Sequence, residues 1–379
     1  MKVPSARRRP MMIAIAAAAF CSAGAQAMEL EIGGHAMVTA SHLDADERSG
    51  DSSTISDLNV NSLELGMRFS PLRQADVNVV WLLEEEPGGG RPDDGFVVDQ
   101  AFITLSGNGR MLAETGDRDG FDDSPWYMQA GKMYLPFSTF FEYHTFDVIS
   151  EPETLQLGET LETSVLLGYS TDTFNVFGAV FGGRGVHGNA NPAADGDDDE
   201  LNDFLLGGSV DLDQGTVALS WMSNLNNSIG LVDTFEELAD DEDPAFASED
   251  EVGGLNVYGG VDLGPARLQI SYVTALDDYT VGSWAGNRPS ALWGELTFGG
   301  LAVGGRELAV TGVYGQTDEW AGHAESTYGV VVDTALADGI TLAAQYLHRE
   351  YDEEFGGGLD TEDLFALQLT AEFGWISGN

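Results

Sequence analysis

Only one cysteine occurs in this chain, Cys21, and it lies in an N-terminal segment that reads as a leader. A disulfide scaffold and a thiolate metal site are therefore excluded from the rest. Bases are scarce: 16 Lys and Arg stand against 63 Asp and Glu, for a net charge of -47. Such a chain cannot neutralise a phosphate backbone, which excludes general nucleic-acid binding. Long apolar runs are missing too. After the leader, nothing approaches the roughly 18 residues that mark a membrane helix. The six histidines show no HExxH or other paired metal spacing. No G-x-S-x-G elbow and no Gly-rich phosphate loop occurs. Nothing local supports an enzyme, and neither a metal nor a cofactor is implied.

The leader has the three parts of a secretory signal. Lys2, Arg7, Arg8 and Arg9 supply positive charge, residues 11–23 are apolar, and Ala25-Gln26-Ala27 offers a small-x-small cleavage site. Phe20 stands where a lipoprotein anchor would need a small residue before Cys21. The expectation is a cleaved segment 1–27 and a single domain over 28–379.

What is present instead is a period of two. Short segments rich in Val, Leu, Tyr, Phe and Thr alternate with polar residues. Val77, Val79, Trp81 and Leu83 share one strand face, opposite Asp76, Asn78 and Glu84. Likewise Leu268, Ile270 and Tyr272 oppose Arg267, Gln269 and Ser271. Strands are expected at 28–41, 58–70, 74–85, 96–106, 126–134, 161–170, 174–182 and 203–212. The second half adds 215–224, 253–263, 266–276, 289–298, 306–315, 325–336, 340–351 and 362–375.

Alternation alone fits a soluble sandwich or a membrane barrel. The connections favour the barrel. Tight turns alternate with longer acidic loops at 42–57, 86–95, 135–160, 183–202, 225–252, 276–288, 316–324 and 352–361. Outer-membrane barrels place short turns in the periplasm and long loops outside. The connection 107–125 is the exception, long where a short turn belongs. The final segment alternates Phe365, Leu367, Leu369, Ala371, Phe373 and Trp375, the pattern that barrel-assembly machinery reads. The expected fold is all-β: a transmembrane antiparallel up-and-down β-barrel of about sixteen strands, with no plug domain, in the outer membrane of a Gram-negative cell. Barrels of this size leave an aqueous channel.

The third long loop differs from the others. It holds Phe137, Phe140, Phe141, Tyr143 and Phe146. Rings like these need burial, and the barrel lumen is the nearest place. The run Gly131-Lys132-Met133-Tyr134-x-Pro136-Phe137 is followed by Ile149-Ser150-x-Pro152-x-Thr154-Leu155-x-Leu157-Gly158-Glu159-Thr160-x-Glu162. Together with 98–105, this segment resembles the legiobactin-uptake family of siderophore porins over about residues 96–170. The resemblance implies a plug-less, sixteen-stranded outer-membrane protein that admits a ferric siderophore without energy coupling. Phe141, Tyr143 and His144 depart from the family segment, which is more polar there.

The candidate functional residues follow from that loop. Lys132, Tyr134 and Phe137 lead into it. Glu142, Glu151, Glu153, Glu159 and Glu162 are expected to form an acidic constriction opposite the lumen bases Arg68, Arg267 and Arg349, giving a transverse field on polar solutes. Lys132 has a second reading, as a partner for Glu159 or Glu162. The acidic runs Asp195–Glu200 and 233–251 lack calcium-loop spacing. Two alternatives to siderophore uptake stay open: a general cation-preferring porin, and a structural or adhesive barrel with acidic surface loops. Expected partners are a small polar solute, lipid and lipopolysaccharide, with a homotrimer as one possible assembly.

Overall fold

The computed structural model describes residues 29–72, 75–84, 97–106, 125–139, 151–182, 201–231, 252–279, 286–353, 355 and 358–377. Sixteen strands form one closed antiparallel barrel in which each strand pairs with its sequence neighbours and β1 closes on β16. The strands are β1 (Glu29–Glu47), β2 (Ser52–Leu72), β3 (Ala75–Glu84), β4 (Val97–Ser106), β5 (Trp126–Tyr134), β6 (Leu161–Ser170), β7 (Phe174–Gly182) and β8 (Leu201–Leu212). The second half holds β9 (Gly215–Met222), β10 (Gly254–Asp262), β11 (Ala266–Ala275), β12 (Ser290–Val303), β13 (Arg306–Asp318), β14 (Ser326–Ala337), β15 (Ile340–Glu350) and β16 (Leu359–Ser377). A six-residue helix, α1 (Glu153–Gly158), interrupts the third loop. Among the described residues no helix is long and apolar enough to cross a membrane.

All sixteen expected segments are strands. The expectation fails at their outer ends. Residues 42–57 read as an acidic loop, yet β1 and β2 run through them and pair from Asp46↔Ser52 downward, leaving only a turn. Polarity marks exposure, not chain direction, so a ladder standing clear of the bilayer can be as acidic as a loop. The segment 352–361 is shortened in the same way, because β16 starts at Leu359. The exceptional connection at 107–124 lies outside the described residues, as do 85–96 and 183–200.

The barrel is apolar outside and polar within. Leu167, Val176, Leu206, Leu219, Ile270, Leu296, Val330 and Leu369 are exposed on the outer face. Between them point Asn78, Gln129, Asn175, Ser220, Gln269, Ser271, Thr311 and Gln368, all buried. Rings gather at two levels. Trp126, Tyr169 and Phe174 pack at the turn end of β5, β6 and β7. Tyr314 meets Tyr328, and Tyr346 meets Phe365, at the loop end. Along β16, Phe365 and Phe373 are eight residues apart. At about 3.3 Å per residue and a tilt of about 40° that is a height of about 20 Å. It is close to the apolar band of roughly 25 Å that a membrane barrel presents.

The seam between β1 and β16 is paired from Leu30↔Ser377 to Glu47↔Leu359. Above it Arg48 clasps the last loop. Its Nε donates to the Leu359 carbonyl at 3.0 Å, and its Nη2 donates to the Tyr351 carbonyl. Arg48→Ala is expected to cost about 1 kcal/mol at this rim contact. The check is a modest fall in the unfolding temperature of the detergent-solubilised barrel, with unchanged strand content by circular dichroism.

Candidate functional site

The third loop leaves β5 by turning inward. The Leu135 N–H donates to the Thr160 carbonyl at 2.8 Å, so the two limbs begin as one more ladder rung. Pro136 then forms a γ-turn, with the Phe137 N–H on the Leu135 carbonyl at 2.7 Å. Ser138 follows with a left-handed φ of 62°. The limbs cross where Gly158 lies on Ser138: a Cβ at Gly158 would sit 2.5 Å from both Cβ and Oγ of that serine. Only glycine permits this approach.

On the returning limb, α1 crosses the interior. It packs against β11, β12 and β13. Glu153, at its first turn, accepts from Thr327 Oγ1 of β14 at 2.8 Å. The loop springs from β5 and β6, so it has reached the opposite wall. Its described limbs thus lie inside the barrel; of its rings Phe137 is buried, and Phe140, Phe141, Tyr143 and Phe146 lie outside the described residues.

An apolar core holds it there. Leu135, Phe137 and Leu157 pack with Phe102, Leu166, Phe177, Phe181, Leu205 and Met222 from the inner wall of β4 to β9. Phe137, Leu157 and Leu205 have no exposed surface. Each such side chain contributes about 1.5–3 kcal/mol. Three further loops close over the seat. Leu225, Leu231, Tyr279 and Trp320 join the same core. The Ile229 N–H donates to the Glu159 carbonyl at 2.8 Å. Tyr279 Oη donates to Asn226 Oδ1 at 2.6 Å. Gly230 lies so near Gln156 that a Cβ would be 2.7 Å from its carbonyl oxygen.

Asp203 of β8, not singled out from the sequence, organises the fifth loop. It accepts from Ser223 Oγ at 3.0 Å and from Asn227 Nδ2 at 2.9 Å. Its sequence cue is an acid directly before the apolar run Phe204-Leu205-Leu206.

The far wall carries the charge. Arg349 of β15 pairs with Glu362 of β16 at 2.5 Å, both largely buried. Tyr351 Oη donates to Glu362 at 3.4 Å. Arg349 also acts electrostatically on Glu153. His323 of the seventh loop stacks on Trp320 with ring centroids 3.5 Å apart. Burial first, and the Arg349 charge second, pull its pKa down to about 3. It is neutral at any ordinary pH.

The sequence-derived candidates therefore separate. Phe137, Glu159 and Arg349 belong to the seated loop and its wall. Glu151 is half-buried just before α1. Glu162 is buried on the inner face opposite Met133. Glu142 lies outside the described residues. Lys132 has two readings from the sequence, a base meeting the solute and a charge partner of Glu159 or Glu162; the register sets it on the outer side of β5, from where its charge still acts on Glu162. It pairs with Ala101 and Thr163, both exposed, on the face opposite Met133 and Glu162. Tyr134, two residues on, shares that outer side. An aromatic and a lysine at a strand end suit the membrane interface, where the ammonium can reach water. Arg68 pairs with Glu31, and Arg267 lies 4.0 Å from Asp262, both at the turn end of the barrel. Neither is level with α1. The transverse pairing of acids and bases thus contracts to one place, where Glu153 and Arg349 lie on the same wall. Among the described residues no cluster of His, Asp and Glu is arranged to hold a metal.

No protein-family model and no curated protein sequence matches the chain. Its fold does match solved structures. OmpF of Salmonella typhi, in complex with daunomycin, superposes with a TM-score of 0.56 at 11% identity, covering 91% of this chain and 97% of that one. The anion-selective porin from Comamonas acidovorans gives 0.56 at 11% identity, covering 91% and 100%. OmpT, an outer membrane protein of Vibrio cholerae, gives 0.51 at 13% identity, covering 92% and 99%. At such identities the likeness is one of fold: a closed sixteen-stranded barrel of the outer-membrane porin type.

Proposed function

We propose that the chain is an outer-membrane channel through which small polar solutes diffuse, with a preference for cations. The carrying observation is the inverted distribution of polarity, apolar on the exposed face and polar on the inner one. A surface of exposed Leu, Val and Phe between two levels of rings is stable only in lipid. A polar interior in a barrel of sixteen strands is wide enough to hold an aqueous route. The third loop narrows the interior and leaves the polar side, from β14 through β1 to β4, as the route.

The preference for cations rests on charge. Arg68, Arg267 and Arg349 each face a carboxylate. Glu31, Asp262 and Glu362 thereby cancel the inward bases, and Asp76, Asp99 and Glu295 add further buried acids. A lumen with this sign attracts cations and repels anions. Purified protein in a planar bilayer under a potassium chloride gradient is expected to show a reversal potential of the sign for potassium over chloride. Anion preference overturns the charge argument. Absence of any conductance, together with no swelling of liposomes in sugar solutions, overturns the channel and favours an adhesive role.

A second, narrower reading makes a ferric siderophore the cargo. What favours it is location: the described parts of the segments that resemble the siderophore porins, 131–137 and 151–162, are those that enter the interior and form the seat. Uptake of labelled ferric siderophore into liposomes, set against an uncomplexed sugar of similar size, tests it. Equal rates for both leave a general porin.

A further inference from the structure

We infer that the third loop is a proton-controlled strap, in which α1 stays on the β14 wall while Glu153 is neutral and leaves it as Glu153 ionises. Glu153 is 5% exposed. Its Oε1 accepts from Thr327 Oγ1 at 2.8 Å. Its Oε2 is buried with no hydrogen-bond partner among the described residues. That oxygen is wedged against β13, 2.8 Å from where a Cβ on Gly315 would stand. An ionised carboxylate carries charge on both oxygens and needs donors for both. A buried one with a single side-chain donor on one oxygen bears the desolvation cost of the other. A neutral carboxyl in the same seat does not.

The surrounding groups do not relieve that cost. Among the described residues Arg349 from β15 is the one base acting on Glu153, and it is already joined to Glu362 of β16 at 2.5 Å. Tyr351 from the eighth loop donates to the same Glu362. From β12, Glu295 accepts the Trp293 Nε1–H at 3.0 Å. From the seventh loop comes His323, uncharged at ordinary pH. One positive charge is thus shared between two acids, with a third acid nearby.

The sign follows. Burial raises the Glu153 pKa above its ordinary value, and the opposing pulls of Arg349, the backbone and Thr327 do not cancel it. The seated state therefore binds the proton more tightly than the released state. Seating is strongest below the ordinary carboxylate range and weakens as pH rises through the interval above it. His323 is held near 3 and Tyr351 is pushed up to about 12, so neither changes charge in that interval. This sense is opposite to that of a histidine latch, which would tighten or loosen near neutrality.

The effect on current rests on the channel reading above; the strap itself does not. Two readouts separate them. The first is hydrogen exchange of the Leu155, Gln156 and Glu159 amides, which bond to the Pro152 and Leu155 carbonyls, corrected for intrinsic base catalysis. The second is single-channel conductance of the same full-length protein. Both are followed from about pH 5 to about pH 9, a range wide enough for a carboxyl displaced upward. In the natural chain, protection is expected to fall and conductance to rise with pH. In Glu153→Gln, which stays neutral, both are expected to be flat. Thr327→Val removes the donor and is expected to speed exchange about tenfold at the acidic end. An unchanged pH profile in Glu153→Gln, or no effect of Thr327→Val on exchange, overturns the strap. If exchange behaves as expected and no current is seen at any pH, the strap stands and the channel reading falls.

Discussion

Gly158→Val is expected to unseat the third loop and raise single-channel conductance several-fold. The two limbs touch at this residue, and a Cβ would lie 2.5 Å from Ser138 Cβ and Oγ and 3.2 Å from Phe137 Cδ1. Ser138 cannot give way, because its left-handed backbone is fixed by the γ-turn before it and by the burial of Phe137. Overpacking at a tight contact costs about 1–3 kcal/mol, and valine adds two methyl groups beyond the Cβ. That cost falls on the loop, since the barrel ladder is complete without it. The expected pattern is larger conductance, weaker selectivity, and an unfolding temperature that changes little. Gly158→Ala should give a smaller rise. An unchanged conductance in Gly158→Val would show that the seat does not narrow the route.

Arg349→Met is expected to have the largest effect on stability. Arg349 and Glu362 have side chains 18% and 10% exposed and lie 2.5 Å apart. Removing the base leaves Glu362 without its counter-charge and takes from Glu153 the one base that acts on it among the described residues. Breaking a buried pair in this way costs about 3–5 kcal/mol. The double variant Arg349→Met with Glu362→Gln should recover much of that loss, because no uncompensated charge then remains beside the arginine site. Thermal scans in detergent, read by the heat-dependent gel mobility of folded barrels, supply the comparison. If the double variant is no more stable than the single one, the pair is not the source of the loss.

The fold was legible because its rule is local. A strand in a membrane barrel must alternate, and Leu268, Ile270 and Tyr272 against Gln269 and Ser271 display that alternation without reference to any other residue. The ends of β1 and β2 were not legible, since above the bilayer an acidic ladder and an acidic loop have the same composition. The third loop was half legible. Its rings declared that it had to be buried, and their spacing could not say against what.

Lys132 marks the limit most plainly. It was the conspicuous base beside an acidic loop, and it faces outward. A single residue's side of a strand depends on register with β4 and β6, where Ala101 and Thr163 fix it. Asp203 and Thr327 were passed over for the converse reason. Each is an ordinary polar residue on an inner face, and each matters because a loop from elsewhere arrives on it. Thr327 lies 174 positions from Glu153.

The sequence by itself determined the sixteen strands, their alternation, the acidity and the loop that had to be buried, because each follows from periodicity or composition over a few residues. Only the tertiary structure decided where α1 comes to rest, that Glu153 and Arg349 share one wall, and that Lys132 does not face the interior. Those are relations across a closed barrel, between residues that no local pattern connects.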